Sequence, residues 1–102
     1  MYIFNISFMV EYAVHARWLE MIKKNFLPFV RENGYGDLVF TRVLSNDSQG
    51  EFTYSLQVHI EDMGKYNDFT ERVMEEYLAV YPAVFGEKVL HFSTLLKKIE
   101  TE

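Results

Sequence analysis

The sequence predicts an α+β fold with the element order β-α-β-β-α-β. Three observations support this prediction: residues 1–10 alternate between apolar and mixed positions, a helical apolar period follows from Ala13, and the order strand, strand, helix, strand completes the chain. This is the order of the ferredoxin-like fold, a four-stranded, mostly antiparallel sheet with two helices on one face. Right-handed crossovers then predict the strand order fourth-first-third-second.

The two central strands each have one strongly apolar set of alternating residues. In the first strand this set is Tyr2, Phe4, Ile6, Phe8 and Val10, and in the third strand it is Phe52, Tyr54, Leu56, Val58 and Ile60. We expect these sets to face the helices. The opposite side of the sheet would then carry Asn5, Ser7, Ser55, Gln57 and His59 at its centre.

The first helix is predicted from a stripe of residues spaced three and four apart. The stripe contains His15, Trp18, Leu19, Ile22, Phe26 and Phe29. Pro28 is predicted to bend this helix near its polar side, where water can serve the freed carbonyl. Gly34 is expected to end it in a left-handed cap, and Gly36 to loosen the turn that follows.

The middle of the chain predicts a β-hairpin followed by a capped helix. Residues 37–45 are rich in strand formers, and the turn sequence NDSQG over residues 46–50 separates them from the third strand. Asp62 is a predicted N-cap. The second helical stripe is Tyr66, Phe69, Val73, Tyr77, Val80 and Val84. Pro82 is expected to bend or end this helix, and Gly86 to close the connection.

The fourth strand is predicted to begin near Lys88 and to add His91 and Ser93 to the side of the sheet that the helices leave bare. The expected apolar margin of that side is Ile3, Met9, Val39, Val43, Val89 and Leu95, with the phase of the second strand left open because it is apolar on both parities. A polar middle inside an apolar margin favours two sheets that close on each other around a cavity. A solvated sheet face is the alternative.

Composition limits the classes of function. The 102 residues fit one domain, residues 1–102, and the 17% aromatic content with nine Phe and seven Tyr favours self-association as a homodimer. A net charge of −5 argues against nucleic acid as a partner, and the lack of cysteine excludes disulfide and thiolate chemistry. Without a cationic leader or an apolar run of about 20 residues, we expect a cytoplasmic protein that does not insert into membranes.

Histidines are the main candidates for chemistry. His15 lies on the predicted buried stripe, where a hydrogen-bonded, half-buried histidine is the ordinary interpretation. A metal site on His59 and His91 is disfavoured, because the first strand would separate them and their side of the sheet supplies no carboxylate ligand. General acid–base catalysis by His59, with Asn5 or Gln57 as an orienting donor, stays open. No cofactor is expected.

RNA recognition is a further possibility for this element order, because RNA-binding domains of the same order stack bases on aromatic side chains of the open sheet. Here the aromatic residues Phe52 and Tyr54 share the parity of Leu56 and Val58, which is expected to face the helices. The residues expected on the bare side at this point are Thr53, Ser55 and Gln57. The sequence therefore argues against RNA binding.

Several segments together resemble a family of short bacterial proteins of unknown function in the dimeric α/β-barrel group. They are MYIFNISFMVE, HARWLEMIKK, a proline near the end of that helix, TYSLQV and FGEKVLHFSTLL. The resemblance implies a ferredoxin-like homodimer and carries no established activity, although the wider group includes cofactor-independent monooxygenases, haem-degrading enzymes and lactone isomerases. Some haem-degrading members use an Asn, a Trp and a His. This chain has Asn5 on its first strand, but Trp18 and His15 lie on its first helix, which is the wrong element. Those roles are therefore not transferred.

The leading hypothesis is a homodimer that binds a small organic ligand in a cavity between its two sheets. The candidate ligand-binding residues are Asn5, Ser7, Ser55, Gln57, His59, His91 and Ser93. A monooxygenase-like or isomerase-like enzyme, with His59 or His91 as base, is the first alternative. A non-catalytic interaction module is the second.

Overall fold

The computed structural model describes residues 1–48 and 50–101 of the chain. Its strands are β1 (Tyr2–Glu11), β2 (Leu38–Ser48), β3 (Glu51–Ile60) and β4 (Val89–Lys97), and its α-helical segments are α1 (Tyr12–Met21), α2 (Leu27–Glu32), α3 (Met63–Asp68) and α4 (Met74–Phe85). A π-helical turn, Ile22–Phe26, joins α1 to α2 as the first helix, and a second, Phe69–Val73, joins α3 to α4 as the second helix. The turn predicted over residues 46–50 is shorter than expected, because β2 continues to Ser48, which pairs with Glu51. Gln49 lies outside the described residues.

The four strands form one antiparallel sheet in the order β2-β3-β1-β4. This confirms the predicted order and the two central strands. The apolar sets of both central strands are buried under the helices, as expected: they include Phe4, Ile6, Phe8, Val10, Tyr54, Leu56, Val58 and Ile60. Within the described residues, no helix is long and apolar enough to cross a lipid bilayer.

The first helix begins at Tyr12 and runs through Pro28 to Glu32. Trp18, Ile22 and Phe26 are buried as predicted, whereas His15, Leu19 and Phe29 are only partly buried. In the π-helical turn the Leu27 N–H donates to the Ile22 carbonyl, five residues back. Pro28 follows at once, so a wider turn lies where the proline was predicted to bend the helix.

The first helix ends in the left-handed cap that Gly34 predicts. Gly34 has a φ of 96°, its N–H donates to the Arg31 carbonyl at 3.1 Å, and the Tyr35 N–H donates to the Val30 carbonyl at 3.3 Å. These two bonds form a Schellman motif, which satisfies two carbonyls that the helix end leaves free.

The second helix is capped by Asp62, as predicted: its Oδ1 accepts a hydrogen bond from the Lys65 N–H at 2.9 Å. The predicted stripe is correct up to Tyr77 but wrong at Val80 and Val84, which are 37% and 39% exposed. The buried residues there are Tyr81 and Phe85. The π-helical turn takes more residues per turn than an α-helix, so a constant period of 3.6 misplaces the residues that follow it.

Pro82 neither ends the second helix nor lies in its buried face. It is exposed, α4 continues to Phe85, and Gly86 then closes the connection with a φ of 58°. Water can serve the carbonyl that an exposed proline leaves without its donor.

The predicted phase of the fourth strand was wrong. His91 pairs with Phe8 and Ser93 with Ile6, so both residues lie on the helix side of the sheet, and Phe92 and Thr94 lie on the other side, opposite Ser7 and Asn5. Val89 and Leu95 likewise move to the helix side, paired with Val10 and Phe4. Apolar residues occur on both parities of β4, so its pairing with β1 decides which set faces the helices.

The second strand agrees with the expected margin. Val39 pairs with Gln57, and Val43 pairs with Thr53, so both valines lie on the side of the sheet away from the helices.

Candidate functional site

The side of the sheet away from the helices, here called the open face, carries a hydrogen-bonded polar cluster at its middle. Antiparallel pairing sets Asn5 opposite Gln57 and Ser7 opposite Ser55 on the two central strands. The Ser55 hydroxyl donates to the Asn5 side-chain oxygen at 2.8 Å, and the Asn5 amide group lies 3.4 Å from the Ser7 hydroxyl as its donor. We call these four residues the polar centre.

The polar centre keeps capacity for further hydrogen bonds. An asparagine side chain offers two N–H donors and two acceptor lone pairs. Of these, the contacts with Ser55 and Ser7 use one acceptor site and one donor. All four side chains of the polar centre are partly exposed in the single chain. A carbonyl or hydroxyl group of a bound molecule could therefore exchange hydrogen bonds with them.

An apolar rim borders the polar centre. It consists of Ile3, Met9, Val39, Val43, Leu90, Phe92 and Leu96. Its β4 members are strongly exposed, with Phe92 at 61%, Leu90 at 49% and Leu96 at 42%. They replace Val89 and Leu95, which the sequence had placed in this rim.

His59 lies on the open face near one end of the sheet. It pairs with Ile3, two residues along β3 from Gln57, and its Nδ1 lies 3.4 Å from the Met1 sulfur. The structure thus places five of the seven predicted ligand residues on one face: Asn5, Ser7, Ser55, Gln57 and His59.

His91 and Ser93 are not part of this face. The His91 ring packs on the helix side against Phe8 and Tyr77, with ring centroids 6.3 and 5.6 Å away. Burial among these rings lowers the pKa of His91. A base on the open face therefore cannot be His91.

A second cluster, around His15, lies on the helix side of the sheet. The His15 Nε2 is hydrogen-bonded to the Tyr54 hydroxyl, and its ring lies 4.4 Å from that of Phe52. The Arg42 guanidinium lies over the Phe52 ring, 4.4 Å from its centroid. Burial, and then the positive charge of Arg42, lower the pKa of His15. The sequence predicted a hydrogen-bonded histidine here but not the arginine beside it, because that contact depends on the pairing of β2 with β3.

The sequence also missed a groove between the two helices. Residues of the first π-helical turn and of the segments before and after it line this groove, together with α4 residues that include Glu76 and Tyr81. The sequence signal near this groove is Pro28, which predicts a bend in the first helix and not a groove. Among residues 1–48 and 50–101, no group of three or more His, Cys, Asp or Glu is placed to hold a metal ion.

Comparison with known proteins supports the fold and leaves the activity open. The family model described as Domain of unknown function (DUF4286) matches residues 1–99. No curated protein matches the chain.

Solved structures similar to this chain include two that are described as dimeric ferredoxin-like proteins. A protein from Deinococcus radiodurans with the provisional name antibiotic biosynthesis monooxygenase has a TM-score of 0.71 at 14% identity, with 100% of this chain and 96% of that chain covered. An EthD family protein from Bacillus halodurans has a TM-score of 0.71 at 14% identity, with coverage of 97% and 100%. A dimeric ferredoxin-like protein from an uncultured marine organism has a TM-score of 0.63 at 11% identity, with coverage of 100% and 99%. At these identities the similarity shows the fold alone, and it confirms the predicted α+β ferredoxin-like architecture.

Proposed function

The chain belongs to the family described as Domain of unknown function (DUF4286), and from this premise we propose that it is a cytoplasmic homodimer whose open faces enclose a small organic ligand. The observation that carries the proposal is the open face itself, where the Asn5–Ser55 hydrogen bond lies inside a rim of exposed apolar side chains. Exposed apolar patches of this kind mark interaction surfaces.

The geometry of the rim supports the proposed dimer. Two sheets that pack face to face lie about 10 Å apart, so side chains of both faces meet between them. A twofold axis would bury Phe92, Leu90 and Leu96 of each chain and leave the shorter serine side chains around a space at the middle. Two ferredoxin-like neighbours are described as dimeric, which supports a dimer of this chain.

The chemistry of the polar centre suggests the class of ligand. On residues 3–9 of β1, on the β3 and β4 residues opposite them and on residues 39–43 of β2, the described open-face side chains are amides, hydroxyls, one histidine and apolar groups, and this set contains no carboxylate, lysine or arginine. Such a lining favours a neutral molecule with one or two carbonyl or hydroxyl groups on an apolar body, for instance a phenol or a quinone.

The oligomeric state is the first test. Sedimentation velocity or light scattering at micromolar concentration should give twice the chain mass of 12.1 kDa. Phe92→Asp should give the monomer mass, because a carboxylate would be buried against the partner. Leu78→Asp, at an exposed position of α4, is the matched control and should remain dimeric. A monomeric wild-type protein contradicts the proposal.

The ligand is the second test. Titration of the dimer with a panel of neutral phenols and quinones, followed by NMR, should give saturable shifts at Asn5, Ser55 and Gln57. Asn5→Ala should weaken the response several-fold while the protein stays dimeric. A dimer with a filled, dry interface and no response would instead support a non-catalytic interaction module.

A second candidate, an enzyme of the monooxygenase or isomerase kind, is favoured by the position of His59 on the same face as the amides of Gln57 and Asn5. In such an enzyme His59 would be the general base, and the Gln57 or Asn5 amide would orient the substrate. Turnover of the same panel should depend on pH and be abolished by His59→Ala. Equal rates in wild type and His59→Ala would remove this candidate.

A further inference from the structure

A groove of about 470 Å³ lies between the first and second helices, on elements that the open face does not include. Its lining from the first helix includes Lys24, Asn25, Phe29 and Glu32, and from the second helix Glu76 and Tyr81. The volume lies within the usual range for sites of small organic molecules, which is about 300–1,000 Å³.

One wall of the groove contains a buried polar group with no partner. Tyr81 is 4% exposed, and among the described residues its hydroxyl is the one buried side-chain polar atom with no hydrogen bond. Burial and the nearby charge of Glu76 raise the pKa of Tyr81 to about 12, so the hydroxyl stays protonated. Buried hydroxyls are nearly always hydrogen-bonded, and this one would gain a partner only if a bound group displaced the side chains that cover it.

The opposite wall contains backbone acceptors that a regular helix would have used. The Leu27 N–H donates to the Ile22 carbonyl instead of the Lys23 carbonyl, and Pro28 has no N–H to donate to the Lys24 carbonyl. Two consecutive carbonyls thus lose their α-helical donors, and the second of them belongs to Lys24, which lines the groove. A group with several N–H donors is the natural partner for such acceptors.

The charged side chains of the lining indicate which charge the bound group should carry. Glu32 and Glu76 are both exposed carboxylates in the lining, whereas the Lys24 ammonium lies 3.5 Å from Glu20, four residues earlier on the same helix. The groove is therefore acidic at its polar wall, and Phe29 and Val80 supply apolar surface next to it.

We propose that this groove binds a small organic cation, a primary amine attached to an apolar body about the size of one aromatic ring. The ammonium lies between the Glu76 carboxylate and the freed Lys24 carbonyl of the first π-helical turn. The apolar body packs against Phe29 and Val80. Binding here does not depend on the function proposed for the open face, because the two sites share no lining residue.

Three probes of one shape and different charge test the proposal: phenethylammonium, 2-phenylethanol and phenylacetate. Amide shifts in NMR titrations of the intact protein should saturate with phenethylammonium at Asn25, Phe29 and Val80, with a dissociation constant of about 1 mM or tighter. The alcohol and the carboxylate should bind at least about fivefold more weakly, because they lack a charge-assisted donor. Shifts at Asn5 and Ser55 instead would assign the amine to the open face and overturn the proposal.

Variants identify the polar contacts. Glu76→Gln should weaken phenethylammonium binding at least about fivefold, and Glu75→Gln, which changes the neighbouring exposed carboxylate outside the lining, should leave it unchanged. Tyr81→Phe keeps the ring and removes a hydroxyl that the proposed ammonium position does not contact, so it should leave both binding and the fold unchanged. Equal binding of the three probes, equal affinity in Glu76→Gln and Glu75→Gln, or no saturation would each overturn the proposal.

Discussion

The indole N–H of Trp18 donates a hydrogen bond to the hydroxyl of Tyr77 at 3.3 Å in the centre of the core. Both side chains are almost fully buried, and the Tyr77 ring also contacts Phe8, with centroids 5.3 Å apart. The bond joins the first helix to the second above the first strand. It is therefore a contact on which the packing of both helices depends.

We expect Tyr77→Phe to lower the free energy of unfolding by about 1–3 kcal/mol, because it leaves the buried Trp18 N–H without its acceptor. Tyr81→Phe is the matched control: the Tyr81 ring stacks on Tyr77 with centroids 4.3 Å apart, but its hydroxyl has no partner among the described residues. That change should be neutral or stabilising. Urea denaturation of the two variants measures the difference, and equal losses would contradict the assignment of these bonds.

The Asn5–Ser55 hydrogen bond predicts an energetic coupling across the central strands. In a double-mutant cycle, Asn5→Ala and Ser55→Ala should show a coupling energy of about 0.5–1.5 kcal/mol, the usual net value of such a bond. Thr41 pairs with Ser55 from the other side and serves as the control residue. The cycle of Asn5→Ala with Thr41→Ala should give no coupling by the same unfolding measurement.

Asp68 predicts a loss of stability in acid. Hydrogen bonds from Arg72 at 2.8 Å and from Tyr35 at 2.6 Å hold the pKa of Asp68 at about 2, below its ordinary 3.8. A carboxyl with a lowered folded-state pKa contributes stability that is complete above the unfolded value and is lost as pH falls through the folded value. Stability should therefore decrease from about pH 4 to about pH 2.

The measurement is the free energy of unfolding as a function of pH. Asp68→Asn should remove this part of the pH dependence, and Tyr35→Phe, which takes away one of the two donors, should give an intermediate slope. If the wild type and Asp68→Asn are equally steep between these pH values, the contacts of Asp68 do not contribute to stability.

The cap of the first helix predicts opposite outcomes for two glycines. An added Cβ would meet nothing within 4 Å at either Gly34 or Gly36, but only Gly34 has a positive φ, 96°. Gly34→Ala should therefore cost about 1–2 kcal/mol, the penalty of a left-handed L-residue. Gly36→Ala should be neutral or slightly stabilising, because it reduces the freedom of the unfolded chain. Thermal unfolding that ranks the two variants in the reverse order would refute this.

The amino-acid sequence determined the features that depend on neighbours along the chain. The caps at Asp62, Gly34 and Gly86 follow from the local conformations that these residues allow. The buried faces of β1 and β3 follow from alternation, because one parity in each strand is uniformly apolar. These signals also located the polar centre, since Asn5 and Ser55 lie on the opposite parity of the same two strands.

Only the tertiary structure decided the features that depend on how several elements pack together, such as the phase of β4 and of the second helix. In β4 apolar side chains occupy both parities, so only its hydrogen-bonded register with β1 placed Phe92 on the open face and His91 under the helices. The π-helical turn of the second helix likewise changed its phase so that Tyr81 is buried instead of Val80, and the groove between the helices lies beside Pro28. Both changes are shifts of phase within one segment. The packing of a whole helix or strand against its neighbours selects among them, and a sequence pattern does not record that choice.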